Sequence, residues 1–490
     1  MERFNKQERR ELHRKTDPAV RENICHAFLV IAGICFLSLL SLIRADYLYK
    51  DDIGRLRSGY FSWEGSSRYL SNYLELILST STKARELSPV SQGIAALLLA
   101  GSCTILIRSF RKDKKIGWKD ITAVLPLALM PYFLECYSFK YDSPFMALSV
   151  FFSVLPLLFI DLKCWRYMVL TFLCTLGVCT TYQSSTGVFP IVVLFMAYGM
   201  WSSGKRSMRM SLHFVGISAV SYLAGLAFYR IVLVKQVADY SNAAILSPLK
   251  EMPGVIVNNI STYYQTVYQD FAPIAFWLMA VLAVLGLIGM VTSSVRGKVL
   301  SLFMALVTVF LSGVMIHGIF TVIPDVKHIP RYMSAFGIFP AMLCLHAVHG
   351  KYVRVAAKWL TPVLAWCFLV YAMIYGNSLA EHGRYHANQM YQLVWDLDHL
   401  EVLQQDKDVK MWRTGRMRYA TTAHAPQNTL IRKLIPGDKW PMRRLSGYYD
   451  LDNMRFEERG PLPEEDLPLL VDTAAYQIYG NDEYILVQWQ

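Results

Sequence analysis

Apolar runs long enough to cross a lipid bilayer recur along most of this chain, and no other feature limits its fold so strongly. In lipid every backbone N–H and C=O must find its partner within the segment, so each run is read as an α-helix. About eleven spans are expected, near 25–43, 92–107, 121–137, 145–160, 168–181, 187–201, 211–229, 274–292, 299–322, 334–348 and 359–377. Among 490 residues 54% are hydrophobic and only 18% charged, as in a polytopic membrane protein. The net charge of +12 sits in short segments between apolar runs. It follows membrane topology, and no nucleic-acid partner is expected.

Charge in the connections sets an orientation. If the basic N-terminal stretch 1–24 is cytoplasmic, the alternate connections 108–120, 161–167, 202–210, 293–298 and 349–358 are all basic and share its side. No small-residue cleavage site follows the first run, so it reads as a retained anchor. The opposite side receives the long segments 44–91, 230–273 and 323–333, the short turns 138–144 and 182–186, and the tail 379–490. Long loops on one face alone suggest that the work is done there. Within them, the stretch from Tyr69 and the segment 252–271 have the three-to-four spacing of amphipathic helices lying at the interface.

The tail breaks composition. Its apolar runs shorten, charge rises, and loop dipeptides appear at Pro436-Gly437 and Gly460-Pro461. A small soluble α/β domain is expected, with helices near 386–405 and 426–434 and strands at Val409–Arg413 and Tyr484–Gln488. All nine cysteines lie in or beside apolar runs without zinc-ligand spacing, so they read as small apolar fillers.

Three polar clusters fall on the long-loop face. The first is Tyr49-Lys50-Asp51-Asp52-Ile53-Gly54-Arg55, at the lip of the first span. Ionisable groups at a membrane lip are costly and mark functional candidates. A partly desolvated carboxylate there can act as general base on a hydroxyl, with its neighbour orienting it or holding Arg55 or Arg68. Capping of a helix starting near Ile53 is the structural alternative. The second cluster runs from Glu135 through Lys140 to Asp142-Ser143-Pro144, where Lys140 and Glu135 suit a phosphate or a sugar and Asp142 also suits a helix start. The third, Asp325-Val326-Lys327-His328-Ile329-Pro330-Arg331, offers two cations and an imidazole for an anionic phosphate at headgroup level. Tyr182 and Gln183 in a tight turn can add sugar hydrogen bonds, and Tyr49, Tyr60 and Trp63 can stack on sugar faces.

Asp51-Asp52-Ile53-Gly54-Arg55, followed by Gly59, Trp63 and Arg68, resembles the opening signature of the serotype-converting O-antigen glucosyltransferases of Gram-negative bacteria and their phages. Phe139-Lys140-Tyr141-Asp142-Ser143-Pro144 and Pro330-Arg331 are similar to that family as well, and the resemblance covers roughly 24–378. It implies a polytopic glycosyltransferase of the GT-C type, inverting at the anomeric carbon. The donor it implies is undecaprenyl-phosphate glucose, and the acceptor is lipid-linked or lipopolysaccharide O-antigen. The place is the periplasmic face of the bacterial inner membrane, with the C-terminus periplasmic. Asp51 or Asp52 becomes the base, and Arg331, Lys327, His328 and Lys140 face the donor phosphate. Arg55, Tyr49, Tyr60, Trp63, Arg68, Glu135, Asp142, Tyr182 and Gln183 face sugar or acceptor. No cofactor is implied and no metal ligand set assigned, with Mg²⁺ on the paired Asp left open. The rival readings are an O-antigen polymerase or ligase and, further off, a flippase of lipid-linked sugars, which would place its charges near mid-membrane.

Overall fold

A computed structural model describes residues 18–111, 115–234, 250–271, 274–402, 409–415, 429–436, 454–456 and 467–490, together with Pro248 and Tyr449. Expectations for the basic N-terminal stretch 1–17, for residues 426–428 and for the two loop dipeptides fall wholly or partly outside the described residues. The helices in chain order are α1 (Pro18–Ala45), α2 (Asp52–Ser58), α3 (Tyr69–Leu78), α4 (Val90–Arg111), α5 (Trp118–Leu129), α6 (Phe133–Ser138), α7 (Ser143–Val154) and α8 (Cys164–Thr181). They continue as α9 (Val188–Ser202), α10 (Met208–Phe228), α11 (Met252–Phe271), α12 (Ile274–Ser293), α13 (Lys298–Val314), α14 (Ile338–Val348), α15 (Arg354–His399) and α16 (Thr429–Leu434).

Among the described residues, eight helical segments are long and apolar enough to cross a membrane: Glu22–Ala45, Val90–Arg111, Cys164–Thr181, Gln183–Ser202, Met208–Leu233, Ile274–Ser293, Lys298–Val322 and Arg354–His399. The runs expected at 145–160 and 334–348 are shorter helices, Ser143–Phe159 and Ser334–Val348. The run expected at 121–137 is broken. Met130 precedes a proline and takes extended backbone (φ −51°, ψ 119°), which ends α5 at Leu129 before α6 begins at Phe133.

Packing is closest where small residues let backbones meet, the common device between helices in lipid. α15 lies along α1 so tightly that a Cβ on Gly376 would stand 2.4 Å from the Ser41 backbone, and the Ser41 hydroxyl donates to the Ala372 carbonyl at 3.0 Å. A Cβ on Gly289 of α12 would come 2.5 Å from the His346 carbonyl of α14.

The basic connections collect at one end of the bundle. Asp120 accepts from His349 Nε2 at 2.6 Å and lies 3.4 Å from Arg111 Nε. Val295 N–H donates to Ser202 at 2.9 Å, and Arg206 pairs with Asp161 at 3.7 Å. The segments after α1, α6, α8 and α13 meet at the other end.

α15 is a single helix of 46 residues, about 69 Å long, and the composition break expected at 378 falls inside it. Its extension supports a five-stranded sheet of β1 (Val409–Gly415), β2 (Met454–Phe456), β3 (Leu469–Asp472), β4 (Tyr476–Gly480) and β5 (Tyr484–Trp489), in the order β2-β1-β5-β4-β3. β1 runs parallel to β2 and β5, whereas β3, β4 and β5 are antiparallel. Met390, Leu393 and Leu397 of α15 pack under Met411, Ile478, Ile485 and Val487 as a separate small core. α16 goes elsewhere: Leu430, Ile431 and Leu434 join the core of the membrane bundle.

Candidate active site

The chain leaves α1 through a tight turn in which Asp46 and Lys50 both hold left-handed backbone (φ 43° and 44°). For residues with side chains this conformation costs on the order of 1 kcal/mol or more, and it is kept where the surroundings enforce it. Here Tyr49 between them is fully buried, while Lys50 Nζ reaches Glu135 Oε1 at 2.5 Å and lies 4.6 Å over the Tyr49 ring. The turn delivers Asp51 and Asp52 to the start of α2 facing different surroundings.

Asp52 is completely buried. Its Oδ2 accepts the backbone N–H of Lys140 at 2.9 Å and of Tyr49 at 3.3 Å, stitching the first cluster to the second. Oδ1 is buried without a hydrogen-bond partner among the described residues. Burial pushes the carboxyl up to about 8, with nearby Asp142 adding to the rise and the Lys140 N–H and Arg55 opposing it. Asp51 differs in each respect. It is half-buried, and its carboxylate makes no side-chain cap on α2 and no hydrogen bond among the described residues, yet it lies within electrostatic reach of Arg55 and Arg331. Asp51 stands at the N-cap position of α2 and Asp52 in its first turn, as the capping alternative places them, but neither carboxylate makes the side-chain hydrogen bond of a cap.

Around them the second cluster forms a frame of paired charges. Arg55, buried on α2, makes an ion pair with Asp142 and stacks 4.3 Å over Trp63, whose indole N–H donates to Asp142 at 2.5 Å. Asp142 thus stands at the start of α7 but spends its oxygens on Arg55 and Trp63 and does not cap that helix. Lys140 is held between Asp46 at 2.5 Å and Glu86 at 3.2 Å. Buried Glu135 accepts Lys50 on Oε1, which also lies 3.5 Å from the Tyr49 hydroxyl, and the Arg331 backbone N–H at 2.8 Å on Oε2.

The third cluster divides. Arg331 is carried into the frame by the turn Pro330–Tyr332, where its guanidinium lies 5.2 Å from the Phe139 ring and 4.0 Å from Glu135. Among the described residues that guanidinium makes no hydrogen bond. Burial works against its charge, but Glu135, Tyr182, Tyr332 and Asp51 outweigh burial and raise its proton affinity. Tyr182 donates to the Arg331 carbonyl at 3.2 Å, and Arg68 stacks 4.6 Å over the Tyr182 ring while bonding Gln183 at 3.1 Å. Gln183 donates in turn to the Ser66 carbonyl and the Tyr229 hydroxyl. Lys327 is exposed. His328 turns to α11, with Nε2 3.1 Å from the Asn259 carbonyl, and burial lowers its proton affinity. Tyr60 is exposed beside Arg55.

Lys50 and Asp46, in and beside the first cluster, carry no assigned role in the sequence reading, and Glu86 and a group from the far end of the chain are not among the residues singled out there. The Tyr49 hydroxyl donates to the Leu434 carbonyl at 2.7 Å, and Lys433 pairs with Asp270 at 2.7 Å. Asp270 also accepts the Tyr132 hydroxyl at 2.9 Å. α16 therefore packs on α11, α15 and the Arg331 turn. Lys50 was legible by its adjacency to Asp51, whereas nothing in the stretch 429–434 signals its place. Among the described residues no group of three His, Cys, Asp or Glu is arranged to hold a metal.

Span-length apolar helices with a charged, partly buried lip at one end define a polytopic membrane protein with a candidate catalytic centre at the membrane surface. The chain belongs to the glucosyl transferase GtrII family, which it matches over residues 40–348. That match includes every candidate residue from Tyr49 to Arg331 and agrees with the family resemblance of the Asp51–Arg55 signature. A relative from Salmonella phage P22, described as an uncharacterized 55.3 kDa protein in the gtrB 5' region, is 26% identical over 174 residues. The match spans 34% of this chain and 34% of that protein, about a third of the relative's length. No solved structure matches.

Proposed function

We propose that the chain transfers a sugar, glucose by its family, from undecaprenyl phosphate to O-antigen, on the periplasmic face of the bacterial inner membrane. In this reading the eight span-length helices and the three shorter apolar segments make eleven crossings. The N-terminus is then cytoplasmic, the C-terminus periplasmic, and the sheet with its supporting helix end forms a periplasmic α/β domain. The observation that supports the reading is the contrast at the lip: Asp51 and Arg331 lie within electrostatic reach, and among the described residues neither the carboxylate nor the guanidinium, 4.0 Å from Glu135, makes a hydrogen bond, while their neighbours are tightly paired with one another.

Asp51 accepts the proton of an acceptor hydroxyl as that oxygen attacks the anomeric carbon from the face opposite the phosphate, with inversion. The carbon–oxygen bond to the phosphate breaks, and its electrons leave with the lipid phosphate. Arg331 meets that developing charge with planar paired donors, and exposed Lys327 adds to the positive field. Asp52 holds the Lys140 and Tyr49 backbones and so fixes the loop that carries Asp51. Glu135, Lys140, Arg55, Asp142, Trp63, Tyr49, Tyr182, Gln183 and Arg68 are engaged with one another, and their part is to frame the site. Tyr60, exposed beside Arg55, meets a sugar face, and His328 supports the Arg331 turn from the α11 side.

The test is transfer from a labelled polyprenyl-phosphate sugar by membranes carrying single variants. Asp51→Asn is expected to lose about 10²–10⁴-fold in rate, the usual worth of a general base, and Asp52→Asn far less. Near-normal transfer by folded Asp51→Asn would overturn the assignment.

A further inference from the structure

A second cleft lies between the C-terminal sheet and the far end of α15. Its volume is about 300 Å³, and its walls include Tyr385, Gln389 and Gln392 of α15 with Thr473, Trp489 and Gln490 of the sheet side. Tyr385, Gln389 and Gln392 stand at i, i+4 and i+7, the spacing that places three side chains on one helix face. Among the described residues the lining carries no charged side chain, in a protein of net charge +12. Gln389 Oε1 and Trp489 Nε1 are buried polar atoms without hydrogen-bond partners among the described residues, and the Trp489 side chain is only 3% exposed.

A cleft lined by amide and aromatic side chains offers an anion no cation to pair with, and a buried charge without a counter-charge is costly. It suits a neutral ring with hydroxyls at its rim and C–H groups on its faces, since amides both donate and accept while aromatic rings cover apolar faces. The cleft is also held in fixed register with the catalytic lip. Tyr476 of β4 pairs with Trp489 of β5, its hydroxyl donates to Asp396 of α15 at 2.5 Å, and the Gln490 N–H closes on the Ala475 carbonyl at 3.0 Å. One helix joins the two places. Gly383 of α15 lies against Tyr47, where a Cβ would stand 3.0 Å from the ring, and Tyr47 precedes Asp51 by four residues. Gln389 and Gln392 follow Gly383 by six and nine residues, about 9 and 14 Å along the axis.

We propose that this cleft is a subsite for neutral sugar units of the acceptor polysaccharide, gripping the chain beyond the unit that reacts at Asp51. The proposal rests on the glycosyltransferase reading above. In it the sheet selects the acceptor, and the membrane bundle supplies donor binding and chemistry.

The experiment uses the full-length protein in detergent and O-polysaccharide freed of its lipid by mild acid. Binding is measured by calorimetry, and transfer is measured with the acceptor varied at saturating donor. Gln389→Leu with Gln392→Ala is expected to weaken binding and raise the acceptor KM roughly 10–100-fold, the worth of two lost amide contacts, with kcat and donor KM unchanged. The exposed Gln392→Ala alone gives a smaller shift in the same direction and leaves no buried gap. Asp51→Asn protein keeps full polysaccharide affinity, so loss of binding in the glutamine variants is separable from failure of the catalytic assignment. Unchanged acceptor KM and affinity in the double variant overturns the subsite, and equal binding of an acidic polysaccharide such as polygalacturonate overturns its neutral class.

Discussion

Asp52→Asn tests a fully buried acid at the lip that keeps its proton near neutral pH. The carboxyl is pushed up to about 8 from an ordinary 3.8, chiefly by burial. The folded value is raised, so the stability that a protonated Asp52 contributes is fully present below 3.8 and is lost as pH rises through about 8. Between pH 6 and pH 8 the unfolded chain holds no proton on this group, while the native state goes from almost fully protonated to half protonated. At 1.36 kcal/mol per unit, integration over that window gives about 2 kcal/mol lost by the wild type. Asparagine keeps an acceptor for the Lys140 and Tyr49 N–H groups and has no proton to lose. At pH 6 the variant should differ from wild type by roughly 1 kcal/mol, the cost of exchanging a hydroxyl for an amide where Oδ1 has no partner. Unfolding midpoints in detergent at both pH values measure this directly. The expected result is a wild type that weakens toward pH 8 and a variant that weakens less by about 2 kcal/mol. Parallel weakening of the two proteins would refute the argument, because the proton lost would then belong to another group.

The other perturbations test the frame and the donor end. Arg331→Ala should lower kcat/KM for the polyprenyl-phosphate donor roughly 10–100-fold, the worth of a charged hydrogen bond, with the unfolding midpoint unchanged. Unchanged donor use would remove its phosphate role. Arg55→Met leaves Asp142 buried beside Trp63 without its cation and should destabilise by about 3–5 kcal/mol, with much of the loss recovered by adding Asp142→Asn. Lys433→Met should destabilise on the order of 3 kcal/mol by stranding Asp270, and Asp270→Asn should restore most of it. Failure of either second change to rescue would mean that the paired charges are not coupled.

How much of this could be read in advance follows from which forces act along the chain and which act across it. Lipid demands contiguous apolar helix, so the spans stand out in sequence, and even the break near Pro131 follows from a local rule. Charges at a membrane lip are costly, so Asp51, Asp52, Glu135, Lys140 and Arg331 were conspicuous one by one. Their partners were not, because nothing local says that Asp52 takes the Lys140 backbone N–H, or that the Lys140 ammonium turns to Asp46 and Glu86. The continuity of α15 was hidden for a related reason. Its composition changes where its surroundings change from bundle to sheet, and a change of surroundings reads like a boundary although the backbone continues. α16 is the extreme case: six residues outside the family match at 40–348 whose Leu434 carbonyl and Lys433 ammonium hold Tyr49 and Asp270. A carbonyl is common to every residue, so only the fold can make this one an acceptor for Tyr49. The candidate site is therefore closed by a segment that neither periodicity nor charge pattern could have assigned to it.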